Sequence, residues 1–267
     1  MYFTGQAAPT IIMEISTSDQ TCQPTPANSK ANKKVAHTTS RVSPWLSPLL
    51  YLLGQHLLLP LFFRQIEITG QENIPLTGPI ILAPTHRSRW DSLLLPYATG
   101  RCVTGRDLLF MVSINECQGL QGWLVKKMGG FPVDPQRPAI NTLRHAVELL
   151  QAGEILVIYP EGNIYRDGKI HPLKPGIARL SLTAESSHPG LDVKILPVSI
   201  NYSQPYPRWG TGVKISIGTA LNVSDYTVGN VKQNAENMTS DLTLVLNKLS
   251  NEKSEIISQS CTKVSKS

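Results

Sequence analysis

The segment 79-PIILAPTHRSRWDSLLLPY-97 joins a short apolar run to a polar turn and then to a second apolar run. Residues 79–84 are short and continuously apolar, as expected for a strand that is buried on both faces of a parallel sheet. A helix is expected to begin just after His86, with Asp91 in its first turns. This order of strand, turn and helix indicates an α/β domain, in which ligands bind at the carboxyl ends of the strands.

Strands and helices continue to alternate on both sides of this segment. Further strands are predicted over QIEIT (65–69), LLFMVS (108–113), Phe131-Pro-Val, ILVIYP (155–160), KILPVSI (194–200) and VKISIG (213–218). Helices are predicted over residues 138–151, 175–186 and 230–250 from apolar residues at helical spacing and from Pro and Gly at the ends. We therefore predict an α/β fold for residues 65–250, with a mostly parallel or mixed central sheet flanked by helices.

The two ends of the chain differ from this domain in composition. Residues 1–41 are rich in Thr, Ser, Gln, Pro and Asn and lack hydrophobic periodicity, which predicts a disordered polar tail. Four basic residues cluster near the end of this tail: Lys30, Lys33, Lys34 and Arg41. Residues 251–267 are predicted to form a polar C-terminal tail.

An apolar segment separates the N-terminal tail from the α/β domain. Residues 42–63 contain no Asp, Glu, Lys or Arg, and Arg64 ends the run. The length would suffice for one membrane-spanning helix, but Pro48, the polar stretch 54–56 and Pro60 interrupt it. Residues 42–64 are therefore predicted to form two helical pieces in the membrane interface; a true span and a buried helix of the core are the alternatives.

The overall composition limits the class of protein without fixing it. The chain has 267 residues, 25 Lys and Arg against 19 Asp and Glu, and a formal net charge of +6. This excess of positive charge suits nucleic acid, an anionic membrane surface or a phosphorylated substrate. The 4 cysteines form no C-x-x-C pair, which argues against a zinc site or a disulfide framework and fits a reducing compartment. No signal peptide is readable, so a cytoplasmic location is expected.

The polar turn after residues 79–84 carries a candidate proton-transfer pair. If the helix that follows returns the Asp91 carboxylate to one nitrogen of His86, the other nitrogen stays basic and can take a proton from a hydroxyl. The simpler alternative is a solvated histidine with an acid near a helix N-terminus, where negative charge is favoured in any case. Arg87 and Arg89 are interpreted as exposed charges beside the pair, with lipid phosphate or an acidic carrier protein as the alternative contacts, and Trp90 as packing.

Two further segments could bind an anion. Glu161 and Gly162 follow the strand predicted at 155–160, where glycine permits a close backbone approach and the glutamate can hold hydroxyls. The loop that follows contains Arg166 and Lys174 close to the start of the next helix, and a helix N-terminus also favours anions. Arg137, in the segment 129-GGFPVDPQRP-138, could act as a planar clamp for phosphate. Solvated surface charges are the alternative for all three cations.

The order of these blocks resembles a known family. A His-x4-Asp box, then GGFPVD, then YPEG, then LPVSI is similar to the PlsC-type 1-acylglycerol-3-phosphate acyltransferases. The resemblance implies that His86 is the catalytic base and Asp91 its partner. It further implies that Glu161 and Gly162 lie at the acceptor site and that Pro197 lies on the acyl-donor side.

Two blocks depart from the family pattern at its arginines. The family usually has Arg directly after the acid of the second block, whereas Pro135 and Gln136 stand before Arg137 here. It usually reads Glu-Gly-Thr-Arg-Ser in the third block, whereas this chain reads Glu-Gly-Asn-Ile-Tyr and the arginine follows as Arg166. Either the loops deliver both arginines to the acceptor phosphate, or the headgroup of the acceptor differs.

The resemblance implies acyl transfer from acyl-CoA or acyl-carrier protein to a lysophospholipid, most simply 1-acylglycerol-3-phosphate to phosphatidic acid. No cofactor and no metal are expected, and the enzyme would lie on the cytoplasmic face of a membrane as a peripheral or monotopic protein. The chain lacks G-x-S-x-G, in agreement with direct transfer without an acyl-enzyme. Other acceptors are another lysolipid or glycerol-3-phosphate. The rival classes are a metal phosphoesterase that uses His86, Asp91 and Glu161 and a non-enzymatic membrane adaptor; nucleic-acid binding is not expected.

Overall fold

The computed structural model of the protein describes residues 42–43, 45–134 and 137–264, so the tail predicted over residues 1–41 lies outside the described residues. The helices are α1 (Leu46–Leu53), α2 (Leu59–Phe62), α3 (Asp91–Thr99), α4 (Arg101–Thr104), α5 (Gly119–Lys127), α6 (Ile140–Gln151), α7 (Gly176–Ser187) and α8 (Val231–Val264). The strands are β1 (Phe63–Thr69), β2 (Ile80–Pro84), β3 (Leu108–Ser113), β4 (Phe131–Val133), β5 (Ile155–Val157), β6 (Lys194–Tyr202), β7 (Thr211–Ile217) and β8 (Leu221–Asn222).

The strands form one mixed sheet in the order β1-β7-β6-β2-β5-β3-β4, and β8 pairs with β6. The pairs that involve β2, β3, β4 or β5 are parallel, whereas β6 is antiparallel to both β7 and β8. Strand β2 therefore lies in the interior of the sheet, between β5 and β6. Because β2 and β5 are parallel neighbours, the turns that follow them meet at the same edge. The predicted α/β fold with a mixed sheet is confirmed.

Helices cover both faces of the sheet, and the alternating side chains of β2 show which helices cover each face. Ile81 and Ala83 belong to a buried apolar cluster that also contains residues of α6, α7 and α8. Ile80 and Leu82 belong to a second cluster, which contains residues of α2 and α3. Successive residues of a strand point to opposite faces. The continuous apolar run at 79–84 therefore reflects a strand with helices on both sides.

The N-terminal apolar segment forms a continuous helical run instead of the two separate pieces that were predicted. A π-helical turn (Gly54–Leu58) joins α1 to α2, and the N–H of Leu59 donates to the carbonyl of Gly54. Pro60 has no N–H, and its ring would crowd the carbonyl four residues earlier in a regular α-helix. A wider turn just before a proline relieves this conflict without breaking the run.

The same segment is apolar on its outer face as well as its inner face. Leu59 and Phe63 are buried in the core. In contrast, Trp45 is 90% exposed, and Leu57 and Leu61 are more than half exposed. The alternative of a fully buried core helix is therefore wrong. Within the described part of the chain, no helix has both the length and the apolar character needed to cross a bilayer.

Two elements end three or more residues away from their predicted ends. Strand β5 ends at Val157, three residues earlier than predicted, because the chain leaves the sheet after the N–H of Ile158 binds the carbonyl of Leu82 at 3.0 Å. Helix α8 continues to Val264, beyond the predicted end at residue 250. The polar composition that predicted a tail after residue 250 does not prevent a helix, because Glu, Lys and Gln are good helix formers.

Candidate active site

His86 and Asp91 form the pair that their spacing predicts. Oδ2 of Asp91 lies 2.9 Å from Nδ1 of His86. The aspartate is the first residue of α3, so the turn 85–90 brings its side chain back to the end of β2. The imidazole is 17% exposed, whereas the carboxylate is fully buried. With Nδ1 bound to the carboxylate, Nε2 is the nitrogen left for a substrate.

Asp91 accepts further hydrogen bonds that hold its carboxylate in place. The backbone N–H groups of Arg87 and Ser88 donate to Oδ2 at 2.7 and 2.9 Å. The hydroxyl of Tyr202 donates to Oδ1 at 2.6 Å. A buried carboxylate with several donors is stabilised in its charged form and keeps one orientation. The charge can therefore stabilise an imidazolium on His86 when a proton is transferred.

Tyr159 supports the imidazole from one face. Its ring stacks on His86 with centroids 3.8 Å apart, and its hydroxyl lies 3.4 Å from Oγ of Ser92. Burial, and then the negative charge of Asp91, raise the pKa of Tyr159, so the phenol stays neutral. The stack leaves the imidazole little freedom to rotate.

Glu161 lies directly beside the pair, but its carboxylate does not face a ligand. Both oxygens contact Nη1 of Arg87, at 3.1 and 3.0 Å, and the backbone N–H groups of His86 and His171 each donate to it at 3.0 Å. The glutamate side chain is fully buried. The prediction that Glu161 contacts substrate hydroxyls is therefore corrected: its oxygens are occupied by the protein, and it fixes the turn that carries His86.

Arg87 was interpreted as an exposed charge, and this interpretation is wrong. The residue is 4% exposed. Its guanidinium binds Glu161 and donates to the carbonyl of Lys169 at 3.0 Å. A buried arginine requires such partners because an unpaired charge in the interior is costly. Arg89, in contrast, is exposed and pairs with Glu116 at 3.1 Å.

The loop after β5 closes over the pair and contributes Gly162 and Lys174. The N–H of Tyr165 donates to the carbonyl of His86 at 2.9 Å, and the N–H of Lys174 donates to the carbonyl of Pro160 at 2.9 Å. Gly162 has a φ of +67°. A Cβ at this position would lie 2.7 Å from both Cε and Nζ of Lys174. Glycine thus lets the lysine cross the turn close to the backbone.

A cavity of about 610 Å³ opens beside His86. The polar lining residues include His86, Arg89, Asn163 and Lys174, together with the acidic Asp107 and Glu116. The part of the cavity next to His86 is called its polar end below. Much of the remaining wall is apolar: Leu93, Pro96, Leu108, Phe110, Met111, Leu124, Val125, Met128, Ile158 and Ile177. A pocket of this size and character suits an apolar chain that carries a polar or charged group at one end.

Three predicted site residues are not among the residues that line this cavity. Arg137 is exposed, and its N–H binds Asp134. Arg166 is exposed with its guanidinium 5.0 Å from the centre of the Tyr206 ring. Pro197 is buried inside β6, opposite Ala83 of β2. The phosphate-binding role of Arg137 and Arg166 and the donor-side role of Pro197 stay predictions.

The metal alternative is not supported by the arrangement of its proposed ligands. Among the described residues, no group of three or more His, Cys, Asp or Glu side chains has the geometry of a metal site. Asp91 faces His86, and Glu161 faces Arg87. The acidic oxygens that a metal would need are thus bound to the protein.

Tyr159 and Tyr202 were missed at the sequence level. Tyr159 stands in the YPEG block, two residues before Glu161, so its place at the strand end was a usable signal. Tyr202 lies 111 residues from Asp91 in the chain, and no local pattern connects them. Trp90 was interpreted as packing, and this is confirmed: its ring stacks on Phe62 at 4.2 Å.

Comparison with known proteins agrees with this geometry. The family model described as Acyltransferase matches residues 65–201, just over half of the chain. Similar curated proteins include mitochondrial glycerol-3-phosphate acyltransferase 1 of Sus scrofa, 25% identical over 74% of this chain and 26% of that protein. The 1-acyl-sn-glycerol-3-phosphate acyltransferase of Streptococcus pneumoniae is 24% identical over 55% of this chain and 51% of that protein. The chain thus spans about a quarter to a half of these relatives.

A solved structure shows the same fold. The crystal structure of the 1-acyl-sn-glycerophosphate acyltransferase PlsC from Thermotoga maritima matches with a TM-score of 0.60 and 20% identity. The match covers 78% of this chain and 79% of that chain. Given the family match over residues 65–201, the chain belongs to the acyltransferase family of PlsC type.

Proposed function

We propose that the protein transfers a fatty acyl group from an acyl thioester to the free hydroxyl of a lysophospholipid, with 1-acylglycerol-3-phosphate as acceptor and phosphatidic acid as product. The contact between His86 and Asp91 carries this proposal, because it leaves one imidazole nitrogen at the polar end of an apolar cavity. A hydroxyl has a pKa far above 7 and needs a base at the moment of attack.

The reaction follows from this arrangement in two proton transfers. Nε2 of His86 takes the proton of the acceptor hydroxyl while the oxygen attacks the thioester carbonyl carbon, and Asp91 stabilises the imidazolium that forms. The tetrahedral intermediate then collapses, the carbon–sulfur bond breaks, and the imidazolium returns its proton to the leaving thiolate. The products are an ester and a free thiol. No covalent acyl-enzyme is required, since the alcohol is the final acceptor.

The acceptor phosphate is expected at the polar end of the cavity. Lys174 and Arg89 are the two cationic side chains among its described lining residues. Arg89 pairs with Glu116 at the surface, where such a pair is weak and can be replaced by a phosphate. These two cations take over the role that was predicted for Arg137 and Arg166.

The apolar part of the cavity suits the fatty chain of either substrate, and two donors fit the chemistry. Acyl-CoA and acyl-carrier protein both present a thioester, so the identity of the donor is left to the assay. Because the lysophospholipid acceptor and the phosphatidic acid product are membrane lipids, we place the protein at the cytoplasmic face of a membrane, bound as a peripheral or monotopic protein through α1 and α2.

A second acceptor is supported by the relatives. Glycerol-3-phosphate acyltransferase 1 of Sus scrofa and of Homo sapiens both match this chain over 74% of its length. The same base and the same cations could serve glycerol-3-phosphate, which carries a phosphate and a free hydroxyl but no fatty chain. Parallel assays of the purified protein with lysophosphatidate, glycerol-3-phosphate and other lysolipids, each with both donors, separate these acceptors.

Replacement of His86 by alanine tests the proposed base. We expect the variant to lose acyl transfer by at least about a hundredfold, because general base catalysis contributes roughly 10²–10⁴-fold. Its circular dichroism and vesicle binding should match those of the wild type. His188→Ala is the matched control, since its imidazole bonds to Gln151, a residue of α6 outside the cavity lining. Transfer at the wild-type rate by His86→Ala would exclude the proposed role.

A further inference from the structure

The hydroxyl of Tyr202 contacts Oδ1 of Asp91, the carboxylate oxygen that does not bind the imidazole. The hydroxyl donates to Oδ1 at 2.6 Å, whereas His86 and two backbone N–H groups share Oδ2. The tyrosine is 8% exposed and does not line the cavity. It therefore contacts the carboxylate without being placed to touch a substrate.

The pairing of the strands places Tyr202 beside Asp91. Strand β2 ends at Pro84, opposite Val198, while β6 continues for four more residues alongside β7 and ends with Tyr202 opposite Val213. The turn after β2 is tied to this extension, because Oγ1 of Thr85 accepts the N–H of Ile200 at 2.9 Å. The last four residues of β6, which extend beyond the end of β2, therefore lie next to the turn that carries His86. The final one, Tyr202, reaches Asp91 with its side chain.

We propose that Tyr202 is a positioning residue of the His86–Asp91 pair. By donating to Oδ1, it fixes the plane of the carboxylate so that Oδ2 faces the imidazole. It also draws negative charge away from Oδ2, so the carboxylate favours the charged imidazole less strongly than it would alone. The inference rests on the proposed function only insofar as the pair is used for acyl transfer.

The hydroxyl remains a donor over the working pH range. Burial, and then the negative charge of Asp91, raise the pKa of Tyr202, so its proton stays on the phenol oxygen. The ring also packs against Phe63, with centroids 6.1 Å apart. Tyr202→Phe keeps this ring contact and removes only the hydroxyl. The substitution therefore separates a positioning role from a packing role.

The first measurement is steady-state acyl transfer by Tyr202→Phe. We expect kcat to fall roughly ten- to a hundredfold, the range that corresponds to the loss of a hydrogen bond to a charged group, with the acceptor KM within about twofold of the wild type. Tyr226→Phe is the matched control. It removes the same kind of bond, 2.7 Å from the hydroxyl to Asp241, at helix α8. Its kcat and KM should not change.

The second measurement does not depend on activity. The His86 ring is titrated by NMR in ¹³C-histidine-labelled protein, with the signal assigned from its absence in His86→Ala. In Tyr202→Phe the midpoint should move to higher pH than in the wild type, because Oδ2 then carries more negative charge. The midpoint should stay unchanged in Tyr226→Phe.

The wild type, Tyr202→Phe and Tyr226→Phe share all the other charged or titratable groups around the imidazole. They come from the turn after β2, the loop after β5 and the 3-10 turn before α5: Arg87, Arg89, Tyr159, Glu161, Lys174 and Glu116. A difference in midpoint between Tyr202→Phe and the wild type can therefore be attributed to the hydroxyl.

The outcomes separate the two proposals. An unchanged His86 midpoint in Tyr202→Phe overturns the positioning role, whether or not the wild type transfers acyl groups. A raised midpoint together with an active wild type and a lowered kcat supports both proposals. A raised midpoint in Tyr202→Phe, together with a wild type that acylates none of the acceptors, supports the positioning role and rejects the proposed function.

Discussion

Arg87 and Arg89 are separated by a single residue, yet their guanidinium groups lie in opposite environments. The Arg87 side chain is 5% exposed and shares two contacts with the buried Glu161, whereas the Arg89 side chain is 71% exposed and meets Glu116 at the surface. Two buried charges have lost their contacts with water, and their attraction to each other compensates for that loss. At the surface, water still solvates both charges and weakens their attraction. The two ion pairs should therefore contribute very differently to stability.

Replacement of Glu161 by glutamine should lower the free energy of unfolding by about 3–5 kcal/mol, because it leaves the charge of Arg87 buried without a counterion. Urea unfolding followed by circular dichroism measures the change. Glu116→Gln is the matched control at the exposed pair and should change the free energy by less than about 1 kcal/mol. Equal, small effects for the two variants would show that the buried pair does not hold the His86 turn.

At the scale of single residues, the sequence predicted which residues belong to the site better than it predicted which residues they contact. His86, Asp91 and Glu161 could be found because each follows an apolar strand at a short distance. The burial of Arg87 depends on Glu161, which lies 74 residues away. No local pattern contains such a contact, so an arginine in a polar turn looked like a surface residue.

At the scale of elements, the sequence predicted strands and helices well wherever one physical signal dominated. Strand β3 occupies the predicted residues 108–113, because its apolar run is continuous and bounded by polar residues. The N-terminal segment was harder, since Pro48, Gly54 and Pro60 all suggest a break. The structure keeps the helical path with a π-helical turn, an arrangement that composition alone does not reveal.

Helix α5 adds a second exposed apolar face next to this segment. Leu120, Trp123 and Leu124 are 82%, 51% and 41% exposed, and their spacing places them on one side of the helix. The last turn carries Lys126 and Lys127, and the carbonyl of Lys127 accepts the N–H of Ser43. An apolar face followed by lysines suits an anionic bilayer surface.

Replacement of Trp123 by glutamate should weaken binding to vesicles that contain phosphatidylglycerol. We expect a loss of roughly tenfold in the partition coefficient, since burial of one large apolar side chain contributes about 1.5–3 kcal/mol. Cosedimentation with the vesicles measures the loss. Leu244→Glu, at an exposed leucine of α8, is the control and should bind as the wild type does. An equal loss in both variants would indicate a general effect of added negative charge.

At the scale of the whole molecule, the sheet order explains why distant blocks of sequence form one site. Strands β2 and β5 are parallel neighbours, so the turns after Pro84 and Val157 lie side by side. The rule that ligands bind at the carboxyl ends of strands predicted this edge from the sequence. The antiparallel pairing of β6 and β7 was not predictable, because a strand pattern does not state the direction of its neighbour, and it is this pairing that brings Tyr202 to Asp91.

The distribution of positive charge around the cavity leads to the last prediction. The net charge of +6 does not show where an anion binds. The cavity lining is more specific, because it includes Lys174 but neither Arg137 nor Arg166. Lys174→Ala should raise the KM for lysophosphatidate roughly ten- to a hundredfold, as expected for the loss of a contact between charged groups. The kcat should change little, because the phosphate is bound equally before and during the reaction.

Arg166→Ala is the matched control for Lys174→Ala, since both residues lie in the loop after β5 but only the lysine lines the cavity. Its KM for lysophosphatidate should stay within about twofold of the wild type, because a solvated surface charge contributes little. Monoacylglycerol, which lacks the phosphate, provides a second comparison: transfer to it should be equally weak in the wild type and in Lys174→Ala. A larger rise in KM for Arg166→Ala than for Lys174→Ala would mean that the loop rearranges when the acceptor binds and brings the arginine to the phosphate, as the family pattern had suggested.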